Sequence, residues 1–99
     1  MIIKRAGTKP NTVSVTFRMP ASTWAESVHL VGDFNGWNRQ SHPLTRSRGD
    51  DCWQITLELE QGKVFQFRYL VNRTDWQNDW NADRYVANPF GGDNSVLET

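Results

Sequence analysis

The sequence predicts an all-β fold, an antiparallel β-sandwich, on three observations. Apolar and polar residues alternate with a period of two in several separate segments. Turn-forming residues fall between those segments rather than inside them. No window of about eleven residues or more carries an apolar stripe at helical spacing.

Residues 1–11 precede the first clear alternation and are expected to form a loose N-terminal arm. Val13, Val15 and Phe17 then alternate with Ser14, Thr16 and Arg18. Val28 and Leu30 alternate with Ser27 and His29, and Val31 breaks the pattern. Asn35-Gly36, next along the chain, is the strongest two-residue turn signal present. Trp53, Ile55, Leu57 and Leu59 alternate with Gln54, Thr56, Glu58 and Glu60. Gln61-Gly62 marks a hairpin into Phe65, Phe67, Tyr69 and Val71, whose polar partners are Gln66, Arg68 and Asn72, with Leu70 the apolar exception. Asn94-Ser95-Val96-Leu97 reads as a final short strand. Pro10, Pro20, Pro43 and Pro89 all lie outside the alternating runs. The 99 residues are expected to form a single domain of about six to eight strands.

Composition narrows the function. Eleven Lys and Arg balance eleven Asp and Glu, so the formal net charge is zero. Phosphate backbones and anionic membranes both select a cationic excess, so neither nucleic acid nor a membrane is expected as partner. No apolar run approaches the ~20 residues of a membrane span, and the apolar part of Met1-Ile2-Ile3-Lys4-Arg5 is too short for a signal peptide. Cys52 is the one cysteine, the two histidines have no metal-ligand spacing, and no cofactor or metal is expected.

The unusual feature is five Trp, five Phe and two Tyr in a small chain. Alternation assigns Phe17, Trp53, Phe65, Phe67 and Tyr69 to inward faces. Trp24 is expected to pack at a sandwich edge, and Trp80 to pin the loop from Asp79 to Tyr85. Trp37, Trp76 and Trp80 sit in polar runs, where an indole is either pinned by a distant element or left at the surface for a ligand, and of the three Trp80 is the one read as a pin. An exposed indole is costly to hydrate, so such residues point to a ligand. A pyranose offers a C–H face that suits the negative face of an aromatic ring, and rim hydroxyls that suit amides, carboxylates and guanidinium groups. Sugar binding is therefore the leading reading of the residues, with a protein contact next and nucleic acid behind both.

The stretch Val28-His29-Leu30-Val31-Gly32-Asp33-Phe34-Asn35-Gly36-Trp37 resembles the signature of carbohydrate-binding module family 48. These are glycogen- and starch-binding modules related to isoamylase N-terminal domains, and they include the glycogen-binding domain of the AMP-activated protein kinase β subunit. Pro43-Leu44-Thr45-Arg46, Trp53-Gln54-Ile55-Thr56-Leu57, Phe65-Gln66-Phe67-Arg68-Tyr69-Leu70-Val71 and Asn88-Pro89-Phe90-Gly91-Gly92-Asp93-Asn94-Ser95-Val96 are similar to the family in the same order. The resemblance implies an immunoglobulin-like, early-set β-sandwich of about seven strands that grips α-1,4-glucans on a shallow face. It implies that Trp37 and Trp76 are stacking platforms and that Arg68 is the basic residue beside them. Asn94 is the amide that hydrogen-bonds sugar hydroxyls, and Phe90 the apolar residue that projects through a curved glucan. Two positions depart from the pattern: Gly92 stands where the kinase subunit has threonine, and the turn Asn72-Arg73-Thr74-Asp75 is longer than the usual Asp-Gly type.

Related domains occur in glycosidases, so Asp75, Asp79 and Asp83 are weighed as catalytic carboxylates. Glycoside hydrolysis needs two carboxyl groups about 5–10 Å apart across a deep cleft, which so small a sandwich has little material to build. No nucleophile triad or phosphate-cradling loop is present in the sequence. The chain is therefore expected to be a non-enzymatic, monomeric, cytoplasmic module. Its expected ligands are glycogen, starch or maltooligosaccharides, with a glucan-metabolising enzyme as a further partner. The alternative is a protein-interaction domain that docks onto such an enzyme or a kinase through its aromatic face, or an accessory domain of a glycoside hydrolase without binding of its own.

Overall fold

A computed structural model describes residues 1–20, 25–47, 49 and 52–99. The edge packing expected of Trp24 lies outside the described residues. The strands are β1 (Ile2–Ala6), β2 (Thr12–Pro20), β3 (Val28–Gly32), β4 (Thr45–Ser47), β5 (Cys52–Glu60), β6 (Val64–Val71), β7 (Asp75–Gln77), β8 (Arg84–Ala87) and β9 (Asp93–Glu98). A single 3-10 turn, Asp33–Asn35, follows β3, and the described residues contain no α-helix. One antiparallel sheet runs β1-β2-β5-β4; the other runs β3-β6-β9-β8, with β7 also paired to β6. The chain is an all-β sandwich, as its alternation requires.

The nine strands among the described residues exceed the expected number of about seven. The N-terminal segment, expected as a loose arm, is largely strand: Ile2 pairs with Phe17 and Ala6 with Val13. Ile2 and Ile3 are followed at once by Lys4 and Arg5, so too few apolar positions exist for the alternation to show. The turn after β1 is tied down by the Glu58 carboxylate, which accepts Thr8 Oγ1 at 2.8 Å and Thr12 Oγ1 at 3.0 Å as well as the Thr8 backbone N–H. Those bonds, from Thr8 first, hold the Glu58 carboxyl below the usual carboxylate range. Strands β4, β7 and β8 have only three or four residues each, too short for periodicity to mark them.

Inward residues of both sheets meet in one core built on Val15, Phe17, Leu30, Phe67, Tyr69 and Leu97, with Trp53 and Phe65 packed at its margin. Phe17 of one sheet meets Phe67 of the other edge to face, with centroids 5.2 Å apart. The register then places the two pattern-breaking residues. Val31 pairs with Arg68, and Leu70 pairs with both His29 and Trp76, so these residues share the outer face of the second sheet. Val31 and Leu70 are buried there, apart from the inter-sheet core. Strand β6 changes partner at the same place, from β9 up to Phe67 to β7 from Tyr69 onward, and Arg68 stands at the junction.

The loop after β7 is anchored by Asp79, which is 2% exposed. Its carboxylate accepts the Tyr69 hydroxyl at 2.6 Å and the Asn81 backbone N–H at 2.7 Å. Its own N–H donates to Ser95 Oγ at 3.0 Å, and its carbonyl accepts the Tyr85 hydroxyl. Burial, with the Asp79 charge and hydrogen bond, pushes the Tyr69 phenol well above its ordinary value. Trp80, expected to pin this loop, is 80% exposed; the polar network around Asp79 does the pinning, and the neighbouring indole is left outside.

The two sheets are also clasped at their edges. Lys4 of β1 donates to Asp83 at 2.7 Å and to the Glu98 carbonyl at 2.9 Å, and Asp83 accepts the Glu98 N–H at 2.7 Å. Burial pushes the Asp83 carboxyl up, but the Lys4 and Glu98 hydrogen bonds and the Lys4 charge outweigh it and hold the group low. A depressed carboxyl stabilises the fold above its unfolded pKa of about 3.9, and the contribution is lost as pH falls through the lower folded value. Both partners of the clasp are about a third exposed, so it contributes less than about 1 kcal/mol. Asp83→Asn is expected to lower Tm slightly at pH 7 and to reduce, not abolish, the fall in Tm between about pH 5 and 3, because Glu58 titrates in the same sense. Thermal melts across that range check it.

Candidate functional site

The segment Gly32–Trp37 builds one wall of a groove, and each residue in it has a distinct task. A Cβ on Gly32 would lie 2.6 Å from the Gln66 carbonyl oxygen and 2.7 Å from Phe67 Cβ, so only glycine fits against β6. Phe34 turns inward and packs on Phe17 and Phe65, with centroids 5.7 and 5.8 Å away. The Asn35 amide accepts the Gly32 N–H at 3.1 Å and donates to the Leu30 carbonyl at 3.0 Å, closing the 3-10 turn on β3. Gly36 and Trp37 both adopt left-handed backbone conformations, with φ of 63° and 60°. For glycine this is free; for tryptophan it costs roughly 1–2 kcal/mol. Two hydrogen bonds offset that strain: Trp37 N–H to the Gly32 carbonyl at 2.8 Å, and indole Nε1–H to Asp33 Oδ1 at 2.8 Å. The other oxygen of Asp33 accepts the Gln66 backbone N–H at 2.8 Å, fastening the whole turn to β6.

The floor comes from β6 and β7. Arg68 projects from the outer face, and its guanidinium carbon lies 5.8 Å from the centroid of the Trp76 ring. Arg39 approaches the same ring at 5.5 Å. Both are cation–π distances. Arg68 Nε is buried and has no hydrogen-bond partner among the described residues. The long turn before β7 proves tight: Asn72 and Arg73 are left-handed, with φ of 53° and 65°, and Thr74 N–H reaches the Val71 carbonyl at 3.1 Å. This three-residue hairpin loop, Asn72 to Thr74, returns Trp76 opposite Leu70 and into the same groove as Trp37.

The far wall is the turn between β8 and β9. Asn88 Oδ1 accepts the Phe90 N–H at 2.9 Å and the Gly92 N–H at 3.1 Å. Its amide nitrogen donates to Asn94 Oδ1 at 3.2 Å, and Asn94 donates in turn to Gln66 Oε1 at 3.1 Å. Phe90 is thereby held outward and is 94% exposed. A Cβ on Gly92 would lie 3.4 Å from Asn88 Nδ2 and 3.9 Å from Arg68 Nη1, so its missing side chain leaves both groups uncovered.

The structure brings Trp37, Arg68, Trp76, Phe90 and Asn94 to one groove of about 470 Å³, together with Arg39, Asn88 and Pro89. Asn94 is buried, and both ends of its amide are already engaged, so one N–H remains for a ligand. Arg39 and Asn88 were not singled out by the sequence. Asn88 had a signal, since an Asx residue ahead of Pro-Phe-Gly-Gly organises a turn, whereas Arg39 had none beyond its place two residues after Trp37. Among the described residues no carboxylate lines the groove. Asp79 is consumed by its network, Asp83 is clasped by Lys4, and Asp75 opens β7 on the Val71 side. The described residues contain no group of three or more His, Cys, Asp or Glu able to hold a metal ion. Two indoles, two guanidiniums and side-chain amides in an open groove can stack on flat C–H faces and pair with hydroxyls.

Compared with models of protein families, residues 6–91 match carbohydrate-binding module 48, the isoamylase N-terminal domain. The chain is also similar to two 1,4-alpha-glucan branching enzymes, both named GlgB. It is 34% identical to that of Butyrivibrio fibrisolvens over 63 residues, covering 63% of this chain and 10% of the enzyme. It is 30% identical to that of Methylococcus capsulatus over 88 residues, covering 85% of this chain and 12% of the enzyme. The chain thus spans about a tenth of the length of these relatives.

Asp33→Ala tests how the first wall is held. It is expected to move the Trp37 indole N–H resonance and speed its exchange while leaving that of Trp80 unchanged. It also leaves the Gln66 N–H unpaired, at a cost of about 1–3 kcal/mol in stability. Proton–nitrogen NMR and a urea melt read the two effects; an unmoved Trp37 signal would show that Asp33 does not hold the indole.

Proposed function

The chain belongs to the carbohydrate-binding module 48 family, that of the isoamylase N-terminal domain, and we propose that it is a non-catalytic module for α-1,4-glucans such as glycogen, starch and maltooligosaccharides. The observation that carries this reading is the convergence of Trp37 and Trp76 in one groove with Arg39, Arg68 and the Asn88–Asn94 amide pair. In the proposed mode the indoles stack on successive glucose C–H faces. Arg68 and the free N–H of Asn94 then fix orientation through rim hydroxyls, and Phe90 fills the hollow of a curved chain. The groove is shallow and its ligand hydrophilic, so affinity between about millimolar and micromolar is expected, with a polymer offering many overlapping sites.

A second reading is favoured by one fact: the branching enzymes it resembles are about six to seven times longer, so the same face has a catalytic partner available to it in such proteins. A docking surface would be silent to sugar alone, which separates the two.

The test is an NMR titration of the protein with maltoheptaose, with cellohexaose as control. Saturable shifts of the Trp37 and Trp76 indole signals with maltoheptaose only are expected. Trp37→Ala and Trp76→Ala should each weaken binding about tenfold or more, equivalent to about 1.4 kcal/mol, while the fold persists by NMR. An absence of shifts at millimolar maltoheptaose would overturn the reading.

A further inference from the structure

We infer that Trp80 is the platform of a second sugar-stacking site, separated from the groove by strand β7, so that one chain engages an α-glucan polymer at two places. The inference rests on the glucan reading of the groove.

Trp80 is 80% exposed, yet it is not on a slack loop. The residue before it is buried, and that residue's N–H, carbonyl and carboxylate are all hydrogen-bonded, to Ser95, Tyr85, Tyr69 and Asn81. The backbone is therefore fixed on both sides of an indole that faces water. Among the described residues Trp80 Nε1–H has no hydrogen-bond acceptor, unlike Trp37 Nε1–H, which is committed to Asp33. Rigid presentation of an unsatisfied indole lowers the ordering cost of a stacking contact and leaves a donor for a hydroxyl.

The surroundings supply the remaining chemistry. Trp80 borders a depression of about 220 Å³ with Gln77, Asn78 and Asn81 on its polar side and Met19 and Pro20 on its apolar side. Asn78 is used internally, donating to the Asp93 carbonyl at 2.9 Å and accepting Ser95 Oγ at 3.0 Å. The side-chain amides of Gln77 and Asn81 have no partner among the described residues and are available to hydroxyls. The charged groups bordering it are spoken for: the Met1 amine pairs with Asp79 at 3.1 Å, and Arg18 contacts Cys52 Sγ at 3.1 Å. An indole ringed by neutral amides repeats the groove's combination and suits a neutral sugar. The two sites share no lining residue. Trp76 and Gln77 are neighbours on β7 and leave it on opposite sides, the first toward the groove and the second toward Trp80.

The experiment follows the five indole N–H signals during titration of the full chain with maltoheptaose, in the wild type and in Trp37→Ala. Saturable movement of the Trp80 signal in both proteins is expected. Trp80→Ala should leave Tm and the maltoheptaose response of Trp37 and Trp76 unchanged while weakening retention on glycogen about tenfold through lost avidity. Movement of Trp37 and Trp76 with Trp80 stationary overturns the second site and leaves the groove reading intact. Movement of Trp80 alone overturns the groove reading and, with it, the engagement of a glucan at two places. No movement at all overturns both. Self-association seen by sedimentation and abolished by Trp80→Ala would assign the indole to a protein contact and overturn the inference.

Discussion

The groove depends on one carboxylate used twice. Asp33 accepts the Trp37 indole with one oxygen and the Gln66 backbone with the other, both at 2.8 Å. Neither bond alone would suffice. The first makes a strained, left-handed tryptophan tolerable, and the second ties that tryptophan to the strand that carries Arg68. Gln66 continues the connection, because its side chain accepts Asn94, which accepts Asn88, which organises the turn under Phe90. Three segments distant in sequence are thereby positioned by one line of hydrogen bonds running beneath the groove. With no carboxylate among the groove's described lining residues, this line of hydrogen bonds does what charges do elsewhere: it fixes geometry without presenting an anion to the ligand.

A sandwich sheet ordinarily gives one face to the core and one to water. Here the second sheet carries apolar residues on both. Val31, Leu70 and Val96 are buried on the outer face, and Arg68 and Trp76 share that face with them. The groove is thus a small second layer resting on an apolar patch. That explains why a guanidinium can lie with Nε buried beside an indole rather than extend into solvent.

Much of this was legible in the sequence, and the failures share a cause. The long strands β2, β5 and β6 followed from alternation, because each has one face in a thick core. The residues that broke alternation, Val31 and Leu70, were the ones that marked the outer patch, although the pattern alone gave no reason for them. Strands β1, β4, β7 and β8 leave no periodic trace, because β1 has only two adjacent isoleucines before its charged residues and the other three are three or four residues long. Trp37, Arg68, Trp76, Phe90 and Asn94 were reached through resemblance joined to the polarity of their neighbours. Polar company leaves two readings for an indole, a pin or an exposed platform; Trp80 is expected as the pin, and the anchor of its loop is instead the adjacent Asp79. Tryptophan burial is decided by what lies across space, and sequence neighbours report that poorly.

Order within the groove is uneven, and the unevenness bears on affinity. Trp37 is fixed through Asp33, Arg68 by the burial of its Nε, and Asn94 by two amide bonds. Their conformational entropy is surrendered on folding, so a ligand that meets them has little further ordering to impose. Arg39 and Phe90 are exposed, and each side chain that a ligand immobilises costs about 0.5–1.5 kcal/mol. The fixed group defines where a ring can stack; the free group adds contact at a cost close to what it returns. Removal of a scaffold residue such as Asp33 therefore acts by converting a fixed platform into a free one, and the loss falls on orientation before it falls on contact area.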